Sequence, residues 1–348
     1  MREVHIARIY PDDRKKLAQA DALMAAEGIR RDAHLECLWG LYDTEDNLVA
    51  TGGCYGNTLR CVAVGSAYQS EGLTSRILTH LVNDRFSNGY DHLFLYTKGS
   101  SAKYFADLGF YEIVRIEDEI VFMENRRTGF VDYLNRLVRP DLPGSRSAAI
   151  VLNANPFTLG HQYLAETAAA ENDVVHLFIV SEDASLFPFS VRKELVRKGT
   201  AHLPNVLCHD SGSYMVSRAT FPAYFQKDER AVIRSQAALD LAIFGRIAKT
   251  LGITRRYVGE EPASLVTGLY NSVMETRLPE MGIECRVIPR KETENGIISA
   301  SAVRQAIKDG RVSQIADMLP KTTLEFLDSP EAAPVIERIM REDRVIHY

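Results

Sequence analysis

The residues best suited to chemistry lie in the stretch Ala148 to His161, AAIVLNANPFTLGH. An apolar run of strand length gives way to a polar turn, and Pro156 cannot continue the strand. Gly160 lets the backbone come close to a ligand. His161 then opens a helix, HQYLAETAAAEN. A helix start offers unpaired backbone N–H groups and the positive end of the helix dipole. With the Thr158 hydroxyl beside it, this is an expected phosphate site. A second stretch, Ile298 to Arg304 (ISASAVR), also enters a helix from a polar loop. Ser299 can cap that helix, and capping is compatible with binding an anion. Arg304 adds a planar guanidinium that can hold phosphate in a bidentate way.

Two such loops need a scaffold that gathers strand ends. From Ala148 onward, apolar runs such as VVHLFIVSED and ITRRYVGEEP alternate with helical patterns. One long helix carries Ile233, Ala237, Leu241, Phe244, Ile247 and Leu251 on a single stripe, and Asp240 among them is either a substrate contact or an exposed flank position. Alternation of this kind indicates a parallel sheet flanked by helices, with ligands bound outside the carboxyl ends of the strands. Ser190 is the expected cap of a helix VRKELVRKGTAHL, and Arg192 and Lys193 in its first turn oppose the dipole, as an anionic ligand would favour. Residues 219–230 read as aromatic and irregular, and the chain after the ISASAVR helix as helical and polar.

The 348 residues allow two domains with sizeable cores. Residues 1–125 form one, 126–147 a linker rich in Pro, Gly and Ser, and 148–348 the second. The net charge of −5 and the lack of a long basic run argue against nucleic acid as a partner. No stretch approaches the ~18 apolar residues of a membrane span. The opening residues have no signal-peptide core, so a cytoplasmic location is expected. Five scattered cysteines without a CxxC pair suit a reducing compartment, make a structural zinc site an unexpected feature, and are expected to be packed or incidental.

In residues 1–125 the strand–helix order resembles the GNAT acetyltransferase fold, an α+β domain. Two places carry the resemblance. Gln69–Ser70–Glu71–Gly72–Leu73–Thr74 is similar to the acyl-CoA pyrophosphate loop, and Tyr104 to Phe110 (YFADLGF) is similar to the Y-x-x-x-G-F end of that fold. Thr74 departs from the Gly or Ala of the family, and its side chain would crowd a pyrophosphate. The resemblance therefore implies the fold, and leaves open acetyl transfer or a docking role for a protein substrate.

The second domain resembles the nucleotidylyltransferase superfamily, a Rossmann-like α/β fold. Thr158–Leu159–Gly160–His161 is similar to its (H/T)-x-G-H signature, and Ile298 to Arg304 to its I-S-S/T-x-x-x-R signature. The resemblance implies in-line attack on the α-phosphate of ATP, carried as a magnesium complex. His161 and Thr158 would serve the α-phosphate, Ser299 and Arg304 the departing phosphates, and Ser301 the nucleotide site. Asn153, Asn155, Phe157 and Gly160 would line the nucleotide site. Gly259 and Glu260 either line the adenine pocket or form a plain turn.

Taken over the whole chain, VLNANPFTLGHQYLAETAA, YVGEEPASLVTGLYN and IPRKETENGIISASAVR resemble the citrate lyase ligase family. That resemblance implies an ATP-dependent ligase that adenylates acetate. The acetyl group then passes to the thiol of a dephospho-CoA-type group on the citrate lyase acyl carrier protein. Arg192, Lys193 and Lys227 are candidates for a positive site beside that thiol. The alternatives are adenylyl transfer to a phosphate acceptor such as phosphopantetheine, and a GNAT acetyltransferase.

Overall fold

The computed structural model describes residues 3–69, 71–117, 119–142, 144–215, 221, 229–260, 265–294 and 296–345. Lys227, Ser70, most of residues 219–230, and Glu261 and Pro262 after the predicted turn lie outside the described residues. The chain divides into two compact units, Met1–Tyr133 with Arg218–Leu239, and Leu134–Ser217 with Asp240–Tyr348.

The first unit holds β1 (His5–Arg8), α1 (Arg14–Ala26), β2 (Cys37–Tyr42), β3 (Leu48–Tyr55) and β4 (Thr58–Val64). Then come α2 (Leu73–Ser87), β5 (Phe94–Thr97), α3 (Ala102–Ala106), β6 (Tyr111–Ile116), β7 (Ile120–Glu124) and α4 (Gly129–Arg136), which runs across the division between the units. Seven strands make one mixed sheet in the order β1-β2-β3-β4-β5-β7-β6, antiparallel except for β4 beside β5. Leu73, Ile77, Leu78 and Leu81 of α2 are buried against β3 and β4, the spacing an amphipathic helix needs. Gly72 stands at the N-cap of α2 with φ +75°, a conformation that favours glycine. Tyr104 is 63% exposed and takes no part in the core.

Two cysteines are neither merely packed nor incidental. Cys37 and Cys54 sit opposite each other on β2 and β3 and form a disulfide; Cys61, Cys208 and Cys285 are free. Residues separated by 17 positions were brought together by strand register, which cysteine spacing alone does not reveal.

The second unit follows the expected alternation. It holds β8 (Ser147–Leu152), α5 (Leu159–Glu171), β9 (Val174–Ile179), α6 (Phe189–Gly199) and β10 (Val206–Asp210). Next are α7 (Glu229–Leu251), of which residues up to Leu239 group with the first unit, β11 (Ile253–Gly259), α8 (Leu265–Glu280) and β12 (Glu284–Ile288). A two-stranded hairpin, β13 (Glu292–Thr293) with β14 (Gly296–Ile297), precedes α9 (Ala300–Lys308), α10 (Lys321–Leu327) and α11 (Ala333–Arg341). The five main strands run parallel in the order β10-β9-β8-β11-β12. β8 is central, so the turn after it emerges in the middle of the carboxyl edge.

Several local expectations change. α6 begins at Phe189 after Pro188, so Ser190 lies inside its first turn; Asp183 Oδ1 takes the Phe189 N–H at 2.6 Å. Asp240 is 4% exposed, accepts the Tyr270 hydroxyl and stands 3.5 Å from an Arg256 guanidinium nitrogen. The tail is not merely polar: Leu327, Val335, Ile339 and Val345 close the main core over β8, β9 and α9.

Candidate active site

The turn after β8 is built from the inside. Phe157 is fully buried, packs on Gly199 of α6 and stacks behind the His161 ring at 5.7 Å between centroids. It supports the histidine and does not line an open site. Asn153 exchanges hydrogen bonds with Ser185 at 3.1–3.2 Å, and its Oδ1 also accepts from Arg192 Nη1 at 3.0 Å. Arg192 is fully buried and donates to the carbonyls of Asn153, Val180, Glu182 and Phe187. This guanidinium ties the loops after β8 and β9 together, so it is not a cation open to a thiol. Lys193, in contrast, is half-exposed and pairs with Asp210 at 2.7 Å.

Asn155 is 3% exposed. Its Oδ1 accepts the Phe187 N–H at 3.0 Å, which fixes the amide orientation, and its Nδ2 has no hydrogen-bond partner among the described residues. A buried donor without an acceptor is costly, and an incoming ligand oxygen removes that cost.

His161 is held in one protonation state by local backbone. It is the third residue of α5, and Thr158 is the N-cap. The Thr158 backbone N–H points at His161 Nδ1 at 3.1 Å, and Thr158 Oγ1 stands 2.9 Å from the same nitrogen. A backbone N–H can only donate, so Nδ1 must accept and the ring proton resides on Nε2. Desolvation, reinforced by the nearby Arg290 charge, lowers the histidine pKa to about 4. At neutral pH the ring is an uncharged Nε2–H donor at the N-terminus of a 13-residue helix.

The second motif packs on the first. Ile298 Cγ2 lies 3.5 Å from the place where a Cβ on Gly160 would stand. Ser299 caps α9, accepting the Ala302 N–H at 3.4 Å. Arg304 is 3% exposed, and all three of its guanidinium nitrogens donate to protein. Nε meets the Val345 carbonyl at 2.7 Å, Nη1 the Asn155 carbonyl, and Nη2 the Ser301 hydroxyl at 3.0 Å. Burial pulls its pKa to about 10, which leaves it charged at neutral pH. The structure thus places Arg304 between the two motifs and the tail, where Nε, Nη1 and Nη2 each have a protein acceptor.

Gly259 and Glu260 end β11 one strand away. The Gly259 carbonyl accepts from Asn271 Nδ2 at 3.1 Å, and the Glu260 carbonyl from Arg290 Nε at 2.8 Å. Asn271 and Arg290 escaped the sequence reading. Arg290 and Lys291 had a signal, since they form a basic pair in the polar loop just before the second motif. Among the described residues, the only group of three metal-ligating side chains within reach of one ion is Cys37, Cys54 and Asp84 in the first unit, where the two sulfurs are bonded to each other.

Residues 147–327 match the citrate lyase ligase C-terminal domain. A [citrate [pro-3S]-lyase] ligase of Haemophilus influenzae is 37% identical over 321 residues, covering 90% of this chain and 96% of that protein. The Escherichia coli protein of the same name is 37% identical over 328 residues, covering 92% and 93%. That of Klebsiella pneumoniae is 39% identical over 288 residues, covering 81% and 84%. Among solved structures, a GNAT-family acetyltransferase from Staphylococcus aureus covers 36% of this chain and 100% of its own, at 15% identity and a TM-score of 0.31. Escherichia coli ElaA covers 36% and 100%, at 12% identity and a TM-score of 0.31. With relatives this similar along nearly the whole length, and a family model over residues 147–327, which include both motifs, the chain belongs to the citrate lyase ligase family.

Proposed function

We propose that the chain activates citrate lyase by an ATP-dependent acetylation in two steps. In the first, an acetate oxygen attacks the α-phosphorus of ATP, the bond to the β-phosphate oxygen breaks, and acetyl-adenylate and pyrophosphate form. In the second, the thiol of the dephospho-CoA-type group on the lyase acyl carrier protein attacks the acetyl carbon. A thioester forms, AMP leaves, and the thiol proton passes to solvent. Magnesium would enter on the triphosphate; it is proposed as part of the substrate, charge-neutralising the phosphates.

The observation that carries this reading is His161. Its Nε2–H is held as a neutral donor by the Thr158 backbone at the mouth of α5, next to the loop that begins α9. Acetate, like a glutamate side chain with pKa ~4.3, is already ionised at neutral pH, so the first step needs no general base. It needs donors aimed at the oxygens that gain charge in the transition state, and a neutral N–H with an adjacent helix terminus meets that need. The buried Asn155 Nδ2, which has no acceptor among the described residues, is a second donor in the same turn.

ATP–pyrophosphate exchange tests the proposal. Exchange should require acetate and no other substrate, and His161→Ala should lose it while unfolding at the wild-type temperature. Exchange that ignores acetate but needs phosphopantetheine, with a dinucleotide as product, would assign adenylyl transfer to a phosphate instead.

A further inference from the structure

With three Arg304 donors engaged by protein, a second source of positive charge would add to the hold on the phosphates that leave. The loop after β12 supplies one. Arg290 Nε donates to the Glu260 carbonyl at 2.8 Å, and the Glu260 N–H in turn meets the Ile288 carbonyl at 2.9 Å. This anchors Arg290 across the carboxyl ends of β11 and β12. Lys291 stands over the Tyr163 ring of α5, its Nζ 5.6 Å from the centroid. The β13–β14 hairpin then folds back, and the Ile298 N–H closes on the Lys291 carbonyl at 3.2 Å. Ile298 itself packs on Gly160. The basic pair is therefore tied on one side to the start of the second motif and on the other to the helix that carries His161.

We propose that Arg290 and Lys291 are the cationic wall that takes the β- and γ-phosphates and releases them as pyrophosphate. This proposal rests on the ATP-dependent reading above. The chemistry suits the residue types. Pyrophosphate carries several negative charges, and a guanidinium and an ammonium beside one strand end can both donate to it. The hairpin makes the arrangement possible: its paired strands, Glu292–Thr293 and Gly296–Ile297, lie out of the path between Lys291 and Ile298, so that the basic pair abuts the second motif. The effect of the Arg290 charge on His161 agrees with this proximity.

The test is direct binding of inorganic pyrophosphate and of ATP to the full-length protein by calorimetry, alongside pyrophosphate exchange. Lys291→Ala should weaken pyrophosphate binding at least tenfold and leave the melting temperature unchanged, because its backbone bond to Ile298 survives. Arg290→Gln should weaken it further, and Arg290→Lys should recover part of the loss. The KM for pyrophosphate should rise in both neutral variants more than kcat falls. Wild-type pyrophosphate affinity in Lys291→Ala or in Arg290→Gln would overturn the assignment. Failure of the acetate reading looks different: wild-type protein would bind ATP and pyrophosphate, the variants would weaken both, and exchange would not depend on acetate.

Discussion

Replacing Arg304 separates two roles that an arginine in the second motif could play. In the structure its three nitrogens serve the carbonyls of Val345 and Asn155 and the hydroxyl of Ser301. Arg304→Met keeps the length and apolar stem but leaves those acceptors without a donor. Each hydrogen bond from a charged donor is worth about 1.5–3 kcal/mol. A well-packed apolar side chain in place of a buried charge returns part of that loss. A net destabilisation of about 3–4 kcal/mol remains, which in a unit of this size lowers the melting temperature by roughly 10 °C. Because Val345 is one of the partners, the tail should detach first. Limited proteolysis should then cut Arg304→Met after α11 under conditions where wild type is intact. ATP affinity, measured well below the melting temperature, should fall by less than that of Lys291→Ala. A variant with wild-type stability and an intact tail, but no ATP binding, would refute the reasoning and return Arg304 to the phosphates.

Three further outcomes follow from the same geometry. Gly160→Ala should fold normally, since its nearest neighbours would lie 3.5 Å from the new methyl; if nucleotide approaches this backbone closely, ATP affinity falls while the melting temperature holds, and unchanged affinity in titration would deny the close approach. His176 and His209 are a buried pair, Nδ1 to Nε2 at 2.9 Å, and desolvation lowers each from 6.5 to about 4. Their folded pKa values lie below the unfolded ones, so stability is intact above pH 6.5 and falls as pH drops toward 4. The loss should reach about 2 kcal/mol per histidine near pH 5 and flatten in His176→Gln/His209→Gln, as urea titrations across pH would show. The Cys37–Cys54 bridge closes a short loop, and its reduction should cost roughly 3 kcal/mol in the chain-entropy account; alkylation under non-reducing conditions, followed by mass spectrometry, should label Cys208 and Cys285 but not Cys37 or Cys54.

The sequence alone determined the elements and the places where chemistry could occur. Apolar runs of strand length alternating with helical stripes require a parallel sheet with helices on its faces, because each amphipathic element must bury one side. Pro156, Gly160 and His161 marked the strand end and the helix start by local rules that need no partner, and α9 begins one residue after Ser299 as its capping chemistry demands. What each charged side chain does was decided only in three dimensions. Arg192, Asp240 and Arg304 carried no local sign of burial, yet each is nearly or fully enclosed by groups far away in sequence, since a long side chain reaches whatever the topology sets beside it. The pairing of Cys37 with Cys54 came from strand register, and the approach of Arg290 and Lys291 to the site came from a hairpin that folds out of the way. Patterning reports which face of an element is apolar; it carries no distance between elements, and it is distance that turns a cation into a clasp or a wall of the site.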